Sequence, residues 1–198
     1  MSEVSRFGMV IDLGRCLGCS ACVAACITEN LRNKTEKAIN EGAEAVSELK
    51  LRTQIKEIDL GEYPAPNVIF FHELCRHCEN PPCVSVCPTG ASYKTEEGVV
   101  LVNHELCIGC KYCMTACPYN ARYIHEELRT PDKCTFCYHR VRKGELPACV
   151  EVCPSHARIF GDLDDPTSEV SRLVSEGAVP AGAEYGTKPK VFYIPPVR

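Results

Sequence analysis

Tryptophan is missing from the 198 residues, methionine occurs three times, and the aromatic side chains are six phenylalanines and eight tyrosines. That excludes an aromatic core of ordinary weight. The 45% hydrophobic fraction includes 16 cysteines, so the aliphatic core is thinner than it looks. Something besides apolar burial must help hold the chain together. Basic excess is lacking too: 22 Lys and Arg against 26 Asp and Glu leave a formal charge of −4, which excludes a general nucleic-acid binder. No apolar run approaches the roughly 18 residues of a membrane span; the best, 21–27 and 99–102, stop far short. The opening Met1-Ser2-Glu3-Val4-Ser5-Arg6 shows neither an apolar secretory stretch nor an arginine pair. The expectation is a polypeptide that does not direct itself into or through a membrane, although a partner can carry it across. A nucleophile–base pair, a glycine-rich phosphate loop and a paired-carboxylate signature are also missing, so catalysis by this chain alone is not expected.

What is abundant is cysteine, about 8% and several times ordinary usage. The sixteen fall into four sets of four: Cys16, Cys19, Cys22, Cys26; Cys75, Cys78, Cys83, Cys87; Cys107, Cys110, Cys113, Cys117; and Cys134, Cys137, Cys149, Cys153. Sets one and three read C-x2-C-x2-C-x3-C. Set two widens the middle gap to four residues through Pro81-Pro82, and set four widens it to eleven. Three closing cysteines are followed by Pro88, Pro118 and Pro154, whereas set one has Ile27 there. This is the run with which bacterial-type ferredoxins hold [4Fe–4S] clusters, the fourth cysteine serving the other cluster of a pair. Three thiolates two residues apart can wrap one cubane. The fourth lies a helical turn beyond the third and points elsewhere, and a following proline ends that turn. A disulfide framework suits a shorter secreted chain. Zinc favours two C-x2-C knuckles a dozen or more residues apart, a pattern that only set four approaches.

Met9-Val10-Ile11-Asp12 before Cys16 matches Val100-Leu101-Val102-Asn103 before Cys107, and the same offset of 91 superposes Cys-Leu-Gly-Cys (16–19) on Cys-Ile-Gly-Cys (107–110). Each reads as a short strand entering a cluster loop. Between Cys87 and Cys107 the pattern predicts a hairpin with Gly98 at its turn and Val99–Val102 as its second strand. Sets two and three, joined by this hairpin, make one compact two-cluster unit, leaving sets one and four as the other pair. Spacing alone also permits pairing three with four. In the cysteine-free stretch 27–74, Thr35 to Val46 reads as a polar helix weakened by Gly42. Leu49 to Ile55 alternates like a half-buried strand, Gly61, Pro64 and Pro66 make a turn, and Val68 to Phe71 is a second strand. This excursion reads as a docking surface, a solvated decoration being the plain alternative. Asp165-Pro166 starts a helix, Gly177 stops it, and Lys190 to Ile194 is a late strand in a tail that straps a neighbour or its own domain.

Cys75-Arg76-His77-Cys78-Glu79-Asn80-Pro81-Pro82-Cys83-Val84-Ser85-Val86-Cys87-Pro88-Thr89-Gly90-Ala91 resembles the second cluster motif of the four-cluster electron-transfer (beta) subunits of the dimethyl sulfoxide reductase family. So do Lys133-Cys134-Thr135-Phe136-Cys137, Pro147-Ala148-Cys149, Cys153-Pro154 and Phe160-Gly161-Asp162-Leu163. The likeness covers nearly the whole chain and is greatest to polysulfide, thiosulfate and tetrathionate reductase subunits. It implies an α+β fold of two nested bacterial-type two-cluster ferredoxin-like domains with short strands, short helices and long loops. The outer domain would be 1–66 plus 128–163, the inner one 67–127, and 164–198 a C-terminal docking strap.

The resemblance further implies four [4Fe–4S] clusters. Cys16, Cys19, Cys22 and Cys153 would hold the one nearest the catalytic subunit. Cys26, Cys134, Cys137 and Cys149 would hold the second, and Cys75, Cys78, Cys83 and Cys117 the third. Cys87, Cys107, Cys110 and Cys113 would hold the last, nearest the membrane. Cys110 and the absence of tryptophan set the chain apart from nitrate reductase relatives, which carry Trp and a [3Fe–4S] cluster at that place. The implied function is electron relay between an integral membrane quinone-reactive subunit and a molybdenum or tungsten bis-pterin catalytic subunit in anaerobic respiration. The alternatives are a formate dehydrogenase or hydrogenase beta subunit, or a free-standing polyferredoxin. Formate dehydrogenase relatives commonly append a C-terminal membrane helix, which this sequence lacks, and the excursion and tail argue for fixed docking over diffusion. Relatives of the polysulfide type imply a peripheral position on the extracytoplasmic face, reached by co-export; the cytoplasmic face is the alternative.

Each oxidised cubane with its thiolates carries about −2, so four add about −8 to the formal charge. Backbone N–H groups and nearby cations must offset it. Gly18, Gly109, Ser20 and Ala21 suit close backbone approach to sulfur. Arg76 and Lys111, inside ligand loops, are expected to raise the potentials of the third and fourth clusters, a solvated charge being the plain alternative. His77 reads as a structural hydrogen-bonding group, and His72, His104, His125, His139 and His156 show no ligand spacing to one another.

Overall fold

The computed structural model describes residues 5–30 and 51–196. The helix expected over Thr35–Val46 lies outside them. Short elements dominate, because every cysteine loop interrupts the chain before a longer one can grow.

The main sheet has four strands in the order β8 (Arg158–Asp162), β1 (Phe7–Asp12), β10 (Val191–Ile194) and β9 (Val179–Pro180). β1 runs antiparallel to β8 and parallel to β10. It is buried on both faces, which is why it reads as an unbroken apolar run. Met9 and Ile11 face the core that contains Cys22, Cys75, Cys134 and Cys149, with Val191 and Tyr193 beside them. Val10 faces a second core with Ile159, Val170 and Ala178, under the helix Glu169–Ser175. That helix begins four residues after Asp165, not at it. Asp165 accepts the Thr167 N–H at 2.8 Å, so Asp165-Pro166 builds the turn before the helix and Ser168 takes the N-cap position. Gly177, at φ 114°, ends it as expected.

The tail is part of this fold. β10 lies between β1 and β9, and residues 187–190 are tied to the second cysteine loop. Asn80 and Glu79 N–H donate to the Thr187 and Lys188 carbonyls at 3.0 and 2.8 Å, and Lys190 N–H donates to Arg76 O at 2.9 Å.

Three two-stranded ribbons complete the sheet structure. β2 (Thr53–Asp59) and β3 (Val68–Leu74) form the hairpin of the excursion, in register from Thr53 opposite Leu74 to Asp59 opposite Val68. Leu49 and Lys50 of the expected strand lie outside the described residues; Leu51 and Arg52 precede β2, and Arg52 turns inward to Asp132. β4 (Ser92–Lys94) and β5 (Val100–Val102) form the predicted hairpin, with Gly98 at φ 77° in its turn. β6 (Tyr123–Ile124) and β7 (Pro131–Asp132) bridge sets three and four.

The third cysteine of each set sits in a helix: Cys22 in α1 (Ala21–Asn30), Cys83 in α2 (Pro82–Ser85), Cys113 in α3 (Tyr112–Thr115) and Cys149 in α5 (Ala148–Glu151). α4 (Tyr138–Val141) occupies the long insertion of set four. α1 packs on α5, and α2 on α3.

Candidate metal centres

In every set the residue before the second cysteine adopts the left-handed region: Gly18 (φ 66°), His77 (44°), Gly109 (70°) and Phe136 (54°). This conformation turns the backbone N–H back toward the first sulfur. His77 N–H donates to Cys75 Sγ at 3.5 Å and Phe136 N–H to Cys134 Sγ at 3.4 Å. Glycine adopts it freely, whereas a side chain there costs about 1–2 kcal/mol. His77 and Phe136 are held by stacking on each other, ring centroids 3.7 Å apart in the buried core. His77 Nδ1 also accepts the Val100 N–H at 3.1 Å, so its expected hydrogen-bonding role is met.

The Cys-Pro closures repeat a second device. Gly90, Asn120 and His156, each three residues past the cysteine, are left-handed, and Ser92 N–H donates to Cys87 Sγ at 3.3 Å. Set one lacks the proline, and α1 instead continues to Asn30. Asn30 Nδ2 then reaches Cys137 Sγ at 3.5 Å and Cys26 Sγ at 3.8 Å, linking set one to set four.

All sixteen thiols are free, with Cys19 and Cys110 exposed. Cys26, Cys134, Cys137 and Cys149 line one small cavity together with Met9, Phe136 and Pro147. Cys87, Cys107, Cys110 and Cys113 line another. Cys117 lies within electrostatic reach of Cys75, Cys78 and Cys83, and Cys153 within reach of Cys16 and Cys22. The fourth cysteine of each set thus stands near cysteines of another set: Cys26 beside set four, Cys153 near Cys16 and Cys22 of set one, Cys87 beside set three and Cys117 near set two. Among the described residues no three His, Cys, Asp or Glu are placed to hold a single ion.

Burial pushes the Cys26 thiol up to about 12 and the Cys78 thiol to about 11, and it also holds Cys134 well above the ordinary thiol range. At Cys87 and Cys153 burial acts in the same sense, but converging backbone N–H groups and the Thr89 and Ser155 hydroxyls outweigh it and lower both. Buried thiolates thus need positive charge, which iron supplies when bound. The polar atoms around the cavities fit that demand. Arg76 Nε, His77 Nε2, Arg122 Nε and Nη1, and Arg158 Nη1 are buried without a hydrogen-bond partner among the described residues.

Three of the residues that matter here were not singled out as site residues from the sequence. His72, on β3 of the excursion, places Nε2 3.1 Å from Cys16 Sγ. Its Nδ1 accepts from Arg158 Nη2 at 2.8 Å, so the ring proton is on Nε2 and points at the sulfur. Burial, with the charges of Arg158 and Arg76, pushes this histidine down to about 3 and keeps it neutral. Arg158 and Arg122 are the other two, and the signal for them was present: each stands five residues after a Cys-Pro cysteine, following an alanine. Arg76 is buried, with its guanidinium 4.9 Å from the Tyr193 ring, beside Cys75 and Cys78. Lys111 is exposed at the rim of the last cavity.

Residues 66–163 match the model of a 4Fe-4S dicluster domain, and residues 15–92 match a second 4Fe-4S dicluster domain model. Protein NrfC of Escherichia coli K12 is 45% identical over 193 residues, covering 96% of this chain and 81% of its own. The B subunit of tetrathionate reductase from Salmonella typhimurium is 43% identical over 195 residues, covering 96% and 72%. The B component of polysulfide reductase from Wolinella succinogenes is 42% identical over 194 residues, covering 96% and 94%. Two dicluster modules and sixteen cysteines amount to four [4Fe–4S] clusters.

Proposed function

The chain belongs to the four-cluster iron–sulfur electron-transfer subunits of the dimethyl sulfoxide reductase family, and from that premise we propose that it relays electrons between a membrane quinone-reactive subunit and a molybdenum or tungsten bis-pterin subunit. The reaction served is reduction of a sulfur compound such as polysulfide, thiosulfate or tetrathionate, in keeping with the names of two relatives above. The chain is not catalytic alone. When bound, its clusters supply one-electron steps, and the protein supplies their positions and surroundings.

The ligand sets are Cys16, Cys19, Cys22, Cys153; Cys26, Cys134, Cys137, Cys149; Cys75, Cys78, Cys83, Cys117; and Cys87, Cys107, Cys110, Cys113, in order from the catalytic partner to the membrane. The single observation that carries this reading is the gathering of Cys26 with Cys134, Cys137 and Cys149, and of Cys87 with Cys107, Cys110 and Cys113, around two separate spaces. An inner domain of 67–127 and an outer one of 1–66 plus 128–163, with 164–198 as strap, follow from the same pairing. No helix among the described residues is long and apolar enough to cross a membrane. Peripheral attachment through the membrane partner, on the extracytoplasmic face, completes the proposal.

Anaerobic purification tests it. The expected result is a brown complex containing a large pterin protein, with about sixteen iron and sixteen sulfide per chain. A soluble brown monomer would favour a diffusing polyferredoxin, and a colourless, iron-free polypeptide would overturn the reading altogether.

A further inference from the structure

Cys117-Pro118-Tyr119-Asn120-Ala121-Arg122 and Cys153-Pro154-Ser155-His156-Ala157-Arg158 repeat one pattern: cysteine, proline, two free positions, alanine, arginine. In both, the left-handed residue before the alanine turns the chain so that the arginine enters the interior, where Arg122 is 4% and Arg158 2% exposed. The third copy of the turn, after Cys87, has Ser92 in the arginine's place.

The hydrogen bonds of both guanidinium groups go to neutral partners. Arg158 donates to His72 Nδ1 at 2.8 Å and to Thr53 Oγ1 at 2.8 Å, and Arg122 Nη2 donates to Ser92 Oγ at 2.6 Å. Among the described residues no carboxylate forms an ion pair with either, and three of their nitrogens have no hydrogen-bond partner. A buried, unpaired cation is strongly disfavoured, so negative charge must face it. Sulfur is what lies there. Arg158 lines the cavity of Cys26, Cys134, Cys137 and Cys149, and through His72 it reaches Cys16 of the first set. Arg122 lines the cavity of Cys87, Cys107, Cys110 and Cys113, and its charge also acts on Cys83 and Cys75 of the third set. Each arginine thus serves both sets of one pair.

We propose that Arg158 and Arg122 are shared counter-ions, one for each pair of clusters, that raise the reduction potentials of both members of their own pair; this rests on the ligand sets proposed above. Reduction adds one negative charge to a cluster, so a fixed cation beside it favours the reduced state. Where one cation faces two clusters, it also offsets the repulsion that the first reduced cluster exerts on the second. Delocalised charge and several donors let one guanidinium serve two sulfur surfaces, which a compact lysine ammonium does less well.

The test is an EPR-monitored redox titration of the cluster-loaded full chain carrying Arg122→Gln or Arg158→Gln. Arg122→Gln is expected to lower the potentials of the third and fourth clusters and to leave the first and second at their wild-type values. Arg158→Gln is expected to do the reverse. If a glutamine variant does not load, the corresponding lysine variant is titrated, and a smaller shift confined to the same pair is expected. Unchanged potentials, a shift in one cluster only, or an equal shift in all four would overturn the proposal. Loss of iron from both the glutamine and lysine variants would assign the arginines to folding and overturn it as well. The ligand sets are judged separately, on wild-type iron content and on whether Cys19→Ser removes the first cluster's signal alone.

Discussion

Lys111 and Asp132 show how differently a charge behaves at the rim of a centre and inside the fold. Lys111 stands exposed beside the cavity of Cys87, Cys107, Cys110 and Cys113, so water screens it. Lys111→Glu is expected to lower the last cluster's midpoint potential by roughly 50 mV, about 1 kcal/mol for a screened charge reversal. A redox titration with no shift would remove the lysine from that role. Asp132 is buried and holds Arg52 through two contacts of 2.9 and 3.2 Å, with the Tyr123 hydroxyl at 2.7 Å. Burial alone would raise this carboxyl, but Arg52 and Tyr123 outweigh it and lower it. A depressed acid contributes stability that is fully present above the ordinary carboxylate range near 4 and is lost as the pH falls through the lower folded value. Asp132→Asn leaves a buried guanidinium unpaired and is expected to cost about 3–5 kcal/mol at pH 7, while flattening that acid limb. Thermal melts from pH 7 downward, wild type against variant, provide the check. The fourfold cysteine spacing was legible at this scale. The stacking of His77 on Phe136 was not, because the two lie 59 positions apart in sequence and only the packed core brings their loops together.

The elements carry the loop geometry, and here glycine positions separate local strain from crowding. Gly18 has φ 66°, and a Cβ there would lie 2.5 Å from the Phe70 ring of the excursion hairpin. Gly18→Ala is expected to displace Phe70 and lose the first cluster, bringing iron from about sixteen to about twelve per chain. Gly144 has φ 79° with nothing within 4 Å of a Cβ. Gly144→Ala carries only the left-handed cost of about 1–2 kcal/mol and retains all the iron. Iron assay with a melting curve distinguishes the two, and equal iron in both would refute the crowding argument. The hairpin β4–β5, the strands β1 and β5 that precede the matching cysteine loops of the repeat, and the stop at Gly177 were all readable, since alternation and turn residues are local signals. The helix start near Asp165 was misplaced because an aspartate serves a turn as readily as a cap.

Across the whole molecule, the exposed thiols Cys19 and Cys110 stand next to two of its most exposed apolar side chains, Leu17 at 67% and Ile108 at 68%. These two residues occupy the same place in the 91-residue repeat, one beside each terminal set of the proposed wire. Leu17→Asp is expected to slow electron exchange with the pterin partner, and Ile108→Asp that with the membrane partner, each about tenfold from a weakened contact. Rapid-mixing reduction of the intact complex measures this. Unchanged rates with unchanged cluster potentials would remove both residues from the interfaces.

Metal chemistry, cluster number and the repeat could be derived from the amino-acid sequence alone, because thiolate spacing along a short loop already limits what it can wrap. The histidine donor to Cys16 and the route of the two arginines to the interior beside the cysteines were decided only by the tertiary structure. Those depend on which loops pack face to face, and on burial removing the water that would otherwise have solvated each charge.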